Sequence, residues 1–238
     1  MNWTPILISL KTATVSILIT FFLGIFAAKW VVSLKSDKLR IFIDGLLTMP
    51  LVLPPTVVGF FLLFIFGVKR PIGKFLLEVL SIKIVFSWWA TAIAAVVISF
   101  PLMYRSARGA FEQVDKTLIM AGRTLGMSEA RIFWRVTMPN ALPGVASGGV
   151  LAFARGLGEF GATAMIAGNI ANKTRTLPLA IYSEVAAGNM EGAYVYVAIV
   201  LIVSFVVLSL MNYFTLKGSK YNNKDARNEF ISFNKEEI

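Results

Sequence analysis

Five long apolar segments constrain this chain more than anything else in it. They run from about Ile8 to Val32, Ile43 to Val68, Ile84 to Tyr104, Leu142 to Ala167 and Ala193 to Leu216. A bilayer core needs about 20 apolar residues per helix, so each segment can cross with some tilt. The backbone of a lone span must satisfy its polar groups internally, which a helix does. Composition agrees: 57% of residues are hydrophobic, 15% are charged, and the mean hydropathy is +0.73. A soluble domain is nearer half apolar and a quarter charged. There is no convincing internal repeat. The fold expected is an all-α polytopic membrane protein with five transmembrane helices.

Basic residues between the spans set the orientation. With Val32 ending the first span on the cytoplasmic side, the inner segments hold 14 lysines and arginines and the outer segments 6. The bias predicts an N-terminus outside and a C-terminus inside. The start, "MNWTPILISLK", lacks the charged region of a cleaved signal peptide and is read as mature chain. The formal net charge of +10 then reflects orientation rather than nucleic-acid binding. The chain has no cysteine and no histidine. That excludes disulfides, thiol nucleophiles, zinc or haem ligation by those residues, and histidine proton relays. A redox enzyme or a metalloprotease is a poor fit. No GxxxxGK[ST] phosphate loop is present, so the chain is not expected to hydrolyse ATP itself.

Residues 1–216 read as one membrane domain and 217–238 as a polar cytoplasmic tail, read as disordered. Two connections are more than turns. The external loop 169–190 holds an amphipathic piece around Leu179 to Ala186. The cytoplasmic loop, about 105–141, has helical periodicity. Asp115 is placed to cap a helix from Lys116 to Leu125, Gly126 to end it, and Ser128 to cap a second helix through Trp134. Pro139 and Pro143 punctuate the approach to span four. Phe133 and Trp134 make one side apolar. The loop either lies on lipid headgroups or docks a cytoplasmic partner through apolar anchors in a polar rim.

The stretch "MAGRTLGMSEARIFWRVTMP" resembles the loop motif shared by permease subunits of type I ABC importers. That pattern is Glu-Ala-Ala, three residues, Gly, nine residues, an aliphatic, any residue, Leu-Pro. Ala121, Gly126, Val136 and Pro139 match, while Met120 replaces the glutamate and Gly122 the second alanine. The resemblance implies coupling helices that fit a groove on an ATP-hydrolysing subunit. The residues concerned are Ala121, Gly122, Arg123, Thr124, Leu125, Gly126, Arg131, Phe133 and Pro139. "PLVLPPTVVGFFLL", "LAFARGLGEFGAT" and "TRTLPLAIY" look more specifically like the molybdate importer permease, over roughly residues 6–216. Sulfate and thiosulfate permeases are similar relatives. The resemblance implies a homodimer in a prokaryotic cytoplasmic membrane. Its partners would be two ATPase subunits carrying ATP and Mg, an external molybdate-binding protein and membrane lipid. No cofactor is expected on this chain. A sulfate permease, or a passive anion channel without an ATPase, stays open as an alternative.

A dianion crossing a bilayer needs a polar or positive path. Arg155, Glu159 and Thr163 in span four and Thr56 beside Pro54 and Pro55 are the candidates. Arg155 and Glu159, four residues apart, are expected to pair on one helix face. Such a pair either holds span four against its neighbours or offers charge to the anion. Arg175 either meets the external binding protein or sits on the membrane surface. Asp44 reads as an acid at the start of span two.

Overall fold

Helix boundaries follow the apolar pattern closely at some points and depart from it at others. The computed structural model describes residues 2–210 and Tyr213. The end of the fifth predicted span and the polar tail lie outside them. The elements are α1 (Thr4–Val32), α2 (Asp37–Val52), α3 (Pro55–Phe66), α4 (Pro71–Leu80), α5 (Trp88–Glu112), α6 (Lys116–Thr124), α7 (Glu129–Ile132), α8 (Met138–Leu157), α9 (Gly161–Ala167), α10 (Leu177–Ala186) and α11 (Met190–Leu210). No strand occurs among the described residues.

Three helices, α1, α5 and α11, are each long and apolar enough to cross a membrane. Two further crossings are bent pairs, α2 with α3 at 110° and α7–α8 with α9 at 56°, which makes five if each pair is one span. The second predicted span, Ile43 to Val68, is therefore two helices broken at Leu53–Pro54. Two consecutive prolines cause the break, since the second has no N–H to continue the ladder and its ring disfavours a helical residue before it. Pro55 instead opens α3, where a missing N–H costs nothing.

α5 sits at the centre, with 61% of its most apolar window buried, against 11% for α11 at the periphery. α1 and α5 run parallel, joined through the membrane by small polar residues. Thr12 and Thr91 hydroxyls lie 3.0 Å apart and Thr20 and Ser99 hydroxyls 3.3 Å. A Cβ at Gly24 would come within 2.6 Å of Met103, so glycine sets the closeness of that pair. α8 returns antiparallel to α5, with Gly148 against Ser106 and Gly156 near Ser16 and Ala95. One apolar core lies towards the coupling-loop end (Ile25, Val31, Met103, Tyr104, Phe111, Phe133, Val145) and a second towards the other (Val58, Leu62, Ala94, Ile98, Ala162, Ile166).

Two further expectations change. α5 continues to Glu112, so the first turns of the predicted cytoplasmic loop belong to span three. The second loop helix does not stop before span four: α7 passes through a π-helical turn, Phe133–Thr137, straight into α8. Pro139 falls in the first turn of α8 and is accommodated rather than breaking the chain.

Candidate functional site

The α6–α7 corner is built as the residues suggest. The Asp115 carboxylate accepts the Thr117 N–H at 2.8 Å and caps α6. The Thr117 hydrogen bonds hold the exposed Asp115 carboxyl below its ordinary pKa. α6 then ends on Gly126, at φ +71. The Gly126 N–H reaches the Arg123 carbonyl at 2.9 Å and the Met127 N–H the Gly122 carbonyl at 3.0 Å. This is a Schellman closure, which requires the left-handed residue that glycine supplies. The Ser128 hydroxyl accepts from the Arg131 N–H at 3.4 Å. Across the turn, Arg123 donates twice to Glu129, at 2.7 and 3.2 Å.

Within this corner the expected partner-facing residues divide. Ala121, Arg123, Thr124, Leu125, Gly126, Arg131 and Pro139 are exposed. Within the corner Leu125 is the most exposed large apolar residue at 79%, beside Met120 at 58% and Trp134 at 55%. Gly122 and Phe133 are not available to a partner. A Cβ on Gly122 would stand 3.1 Å from Ile132, so this glycine lets α6 press against α7. Phe133 is buried against Phe111, with the Lys29 ammonium 4.1 Å from its ring centroid. Its apolar character serves the core. Of the two departures from the motif, Gly122 faces inward and only Met120 faces out. A cavity of about 550 Å³, lined by residues including Arg105, Gln113, Asn140 and Gly144, lies between α5, α6 and the start of α8.

The second constellation sits at the break in span four. Arg155 Nη1 donates to Glu159 Oε2 at 3.0 Å, as the spacing predicts. The pair is not on one helix, however: α8 ends at Leu157, and Glu159 stands in the break. The other Glu159 oxygen accepts the Ala162 N–H at 2.8 Å and so caps α9. The Glu159 side chain is 2% exposed and that of Arg155 33%. Gly156 beside Arg155 packs near Ala95 and Ser99, which places the pair at mid-height along α5.

This break meets the other one. A Cβ at Gly59 would lie 2.7 Å from the Ala162 backbone, and one at Gly161 3.0 Å from Pro55. α3 and α9 therefore start side by side. Thr56 is exposed there, with Gly158 and Phe160. Thr163 is 1% exposed and packs inside the chain, so it faces no open path in this protomer. Arg175 folds onto its own loop, donating to Asn169 at 2.9 Å.

One network had no counterpart in the sequence reading. Asp44 does not open α2 but lies in its second turn. There it accepts the Tyr104 hydroxyl at 2.8 Å and pairs with Arg108. Arg108 also donates to Glu112 at 2.9 Å, and Glu112 pairs with Arg40. Two arginines and two acids thus tie α2 to the end of α5. Arg108 and Glu112, at i and i+4, gave a signal for half of it. The partner on α2, more than 60 residues away, gave none.

A multi-pass helical bundle with two spans broken beside a buried charge pair, and a capped apolar corner at one end, defines the membrane subunit of a transporter. The chain belongs to the family of binding-protein-dependent transport system inner membrane components, whose model matches residues 20–217. It is similar to the molybdenum transport system permease protein ModB of Escherichia coli (strain K12), 44% identical over 193 residues, covering 81% of this chain and 84% of the relative. The ModB protein of Haemophilus influenzae is 41% identical over 191 residues, covering 80% and 83%. In fold the chain matches a subunit of the MetNI methionine ABC transporter in an inward-facing conformation. The TM-score is 0.70 at 16% identity, covering 90% of this chain and 94% of that one. It is a multi-pass component of the inner membrane and a transport subunit rather than an enzyme.

Proposed function

We propose that this chain is the permease of an ATP-driven importer for molybdate, with tungstate sharing the path. The observation that carries the substrate is the 44% identity to a molybdenum permease over 193 residues. Two copies would enclose the pathway, with Arg155 and Thr56 towards it and the buried Glu159 behind Arg155. Irregular backbone at membrane depth is tolerated only where protein buries it or water reaches it. The breaks, exposed at Thr56 and at Gly158 and Phe160, meet that condition if a second copy faces them across a wet path. Arg155 gives the dianion a positive neighbour, and Glu159 weakens its hold so that the ion can leave.

The exposed corner at Leu125 is the docking knob for a cytoplasmic ATPase subunit, which carries ATP and Mg. Closure of two such subunits would move α6 and α7 as a body, and α8 with them, because α7 and α8 are one continuous helix. An external binding protein would deliver the anion, with Arg175 among its contacts.

The test uses proteoliposomes holding this chain, its ATPase partner and its binding protein. Molybdate and tungstate should stimulate both hydrolysis and uptake, and sulfate neither. Stimulation by sulfate alone would assign the sulfate branch. Anion flux without ATP would leave a channel.

A further inference from the structure

The segment between α3 and α5 has no part in the transport reading, yet it is specifically built. α3 ends at Phe66 and α5 begins beside Trp88, so α4 lies at the end of the bundle opposite the coupling corner. A Cβ on Gly73 would stand 2.4 and 2.2 Å from the carbonyl oxygens of Phe66 and Gly67. Only glycine lets α4 lie this close against the end of α3.

At helical spacing Ile72, Phe75 and Val79 share one side of α4, while Lys74 and Glu78 share another and pair at 3.7 Å. Among the described residues nothing covers the apolar side: Ile72 is 50% exposed, Phe75 58% and Val79 62%. The flanks are basic. Residues 69–83 hold Lys69, Arg70, Lys74 and Lys83 against the single acid Glu78. Arg70 lies 3.9 Å over the ring of Phe64, itself exposed on α3 next to Phe60 and Phe61. The cation thus marks the edge of an apolar surface that runs on from the span.

We propose that α4 lies flat in the headgroup layer of the outer leaflet. Ile72, Phe75 and Val79 sink among the upper acyl chains, and Lys69, Arg70, Lys74 and Lys83 meet anionic phospholipid headgroups. An amphipathic helix with this division rests with its apolar face about 5–10 Å into the boundary, and basic side chains beside it favour anionic lipid. Continuity with the exposed face of α3 selects lipid over a soluble partner, which would leave that arc in water whenever it departed. Seated so, α4 is a float that fixes the depth of α3's outer end. The inference does not depend on the importer reading.

The chain contains no cysteine, so spin labels can be placed singly at 72, 74, 75, 78 and 79 without background. Collision with oxygen and with a nickel chelate would be measured in phosphatidylcholine–phosphatidylglycerol vesicles. The oxygen-to-nickel ratio at 72, 75 and 79 should exceed that at 74 and 78 severalfold. Replacing phosphatidylglycerol by phosphatidylcholine should lower the ratio at 75. Free nickel access at 72, 75 and 79 would overturn the proposal in favour of a water-facing surface. Exclusion of both agents there would overturn it in favour of a protein cover, whether a second copy or another chain. Three independent apolar positions keep one poorly folded variant from deciding the result.

Discussion

Glu159 has two structural jobs, because one oxygen holds Arg155 and the other caps α9. Glu159→Gln can keep the cap and loses the charge, whereas Glu159→Ala loses both. A lost cap costs about 0.5–2 kcal/mol, and an orphaned buried charge partner about 3–5. A third of Arg155 is exposed, so solvent softens that second figure. The Ala variant should therefore lose about 2–3 kcal/mol and the Gln variant about 1 less, read as Tm in nanodiscs. Equal losses would show that the cap carries nothing. Much of this scale was legible: Asp115, Gly126 and Ser128 act where their residue types put them, since caps and left-handed turns are local chemistry. Phe133 and Thr163 were not legible. An aromatic or a hydroxyl in an amphipathic helix does not declare whether the chain or a partner covers it.

Among the elements, the α6–α7 corner separates folding from docking. Leu125 at 79% exposure touches little of its own chain, so Leu125→Ser should leave stability unchanged within about 0.5 kcal/mol. It should also weaken association with the ATPase subunit, by about tenfold or more if Leu125 is a central anchor. Gly126→Val differs, because a β-branched residue at φ +71 is strained by about 1–2 kcal/mol. It should distort the corner and let the partner hydrolyse ATP without uptake. Co-purification and the ratio of uptake to hydrolysis check the two, and normal docking by Leu125→Ser would remove that side chain from the interface. The five apolar runs were legible because period and length are properties of the chain alone. The 110° bend was not, since prolines fix where a helix stops but packing against α9 fixes where the next one points. The continuity of α7 with α8 was hidden for the opposite reason: Pro139 looks like a stop but occupies a first turn.

For the whole molecule, charge bias and the parallel pairing of α1 with α5 require the coupling corner and residue 172 to lie on opposite faces. In the cysteine-free background, Leu125→Cys should be labelled by a membrane-impermeant maleimide only in inside-out vesicles, and Asn172→Cys only in right-side-out cells. The reverse pattern would invert the topology and with it the docking argument. The same orientation gives the Asp44–Arg108–Glu112–Arg40 network its place, at the inner end of α5, three residues before the cap of α6. Motion of α6 and α7 reaches α8 through covalent helix, but it reaches α2, and through it the broken second span, only by packing and this network. Asp44→Ala removes the Tyr104 hydrogen bond and the Arg108 ion pair together. Tyr104 is buried, but the four charged side chains are 21–38% exposed, so the loss of stability should be modest, about 1–2 kcal/mol. Uptake should fall more than hydrolysis, because α2 then lags behind α5. Equal falls in the two rates would make the network a staple for folding and leave transmission to the packed cores.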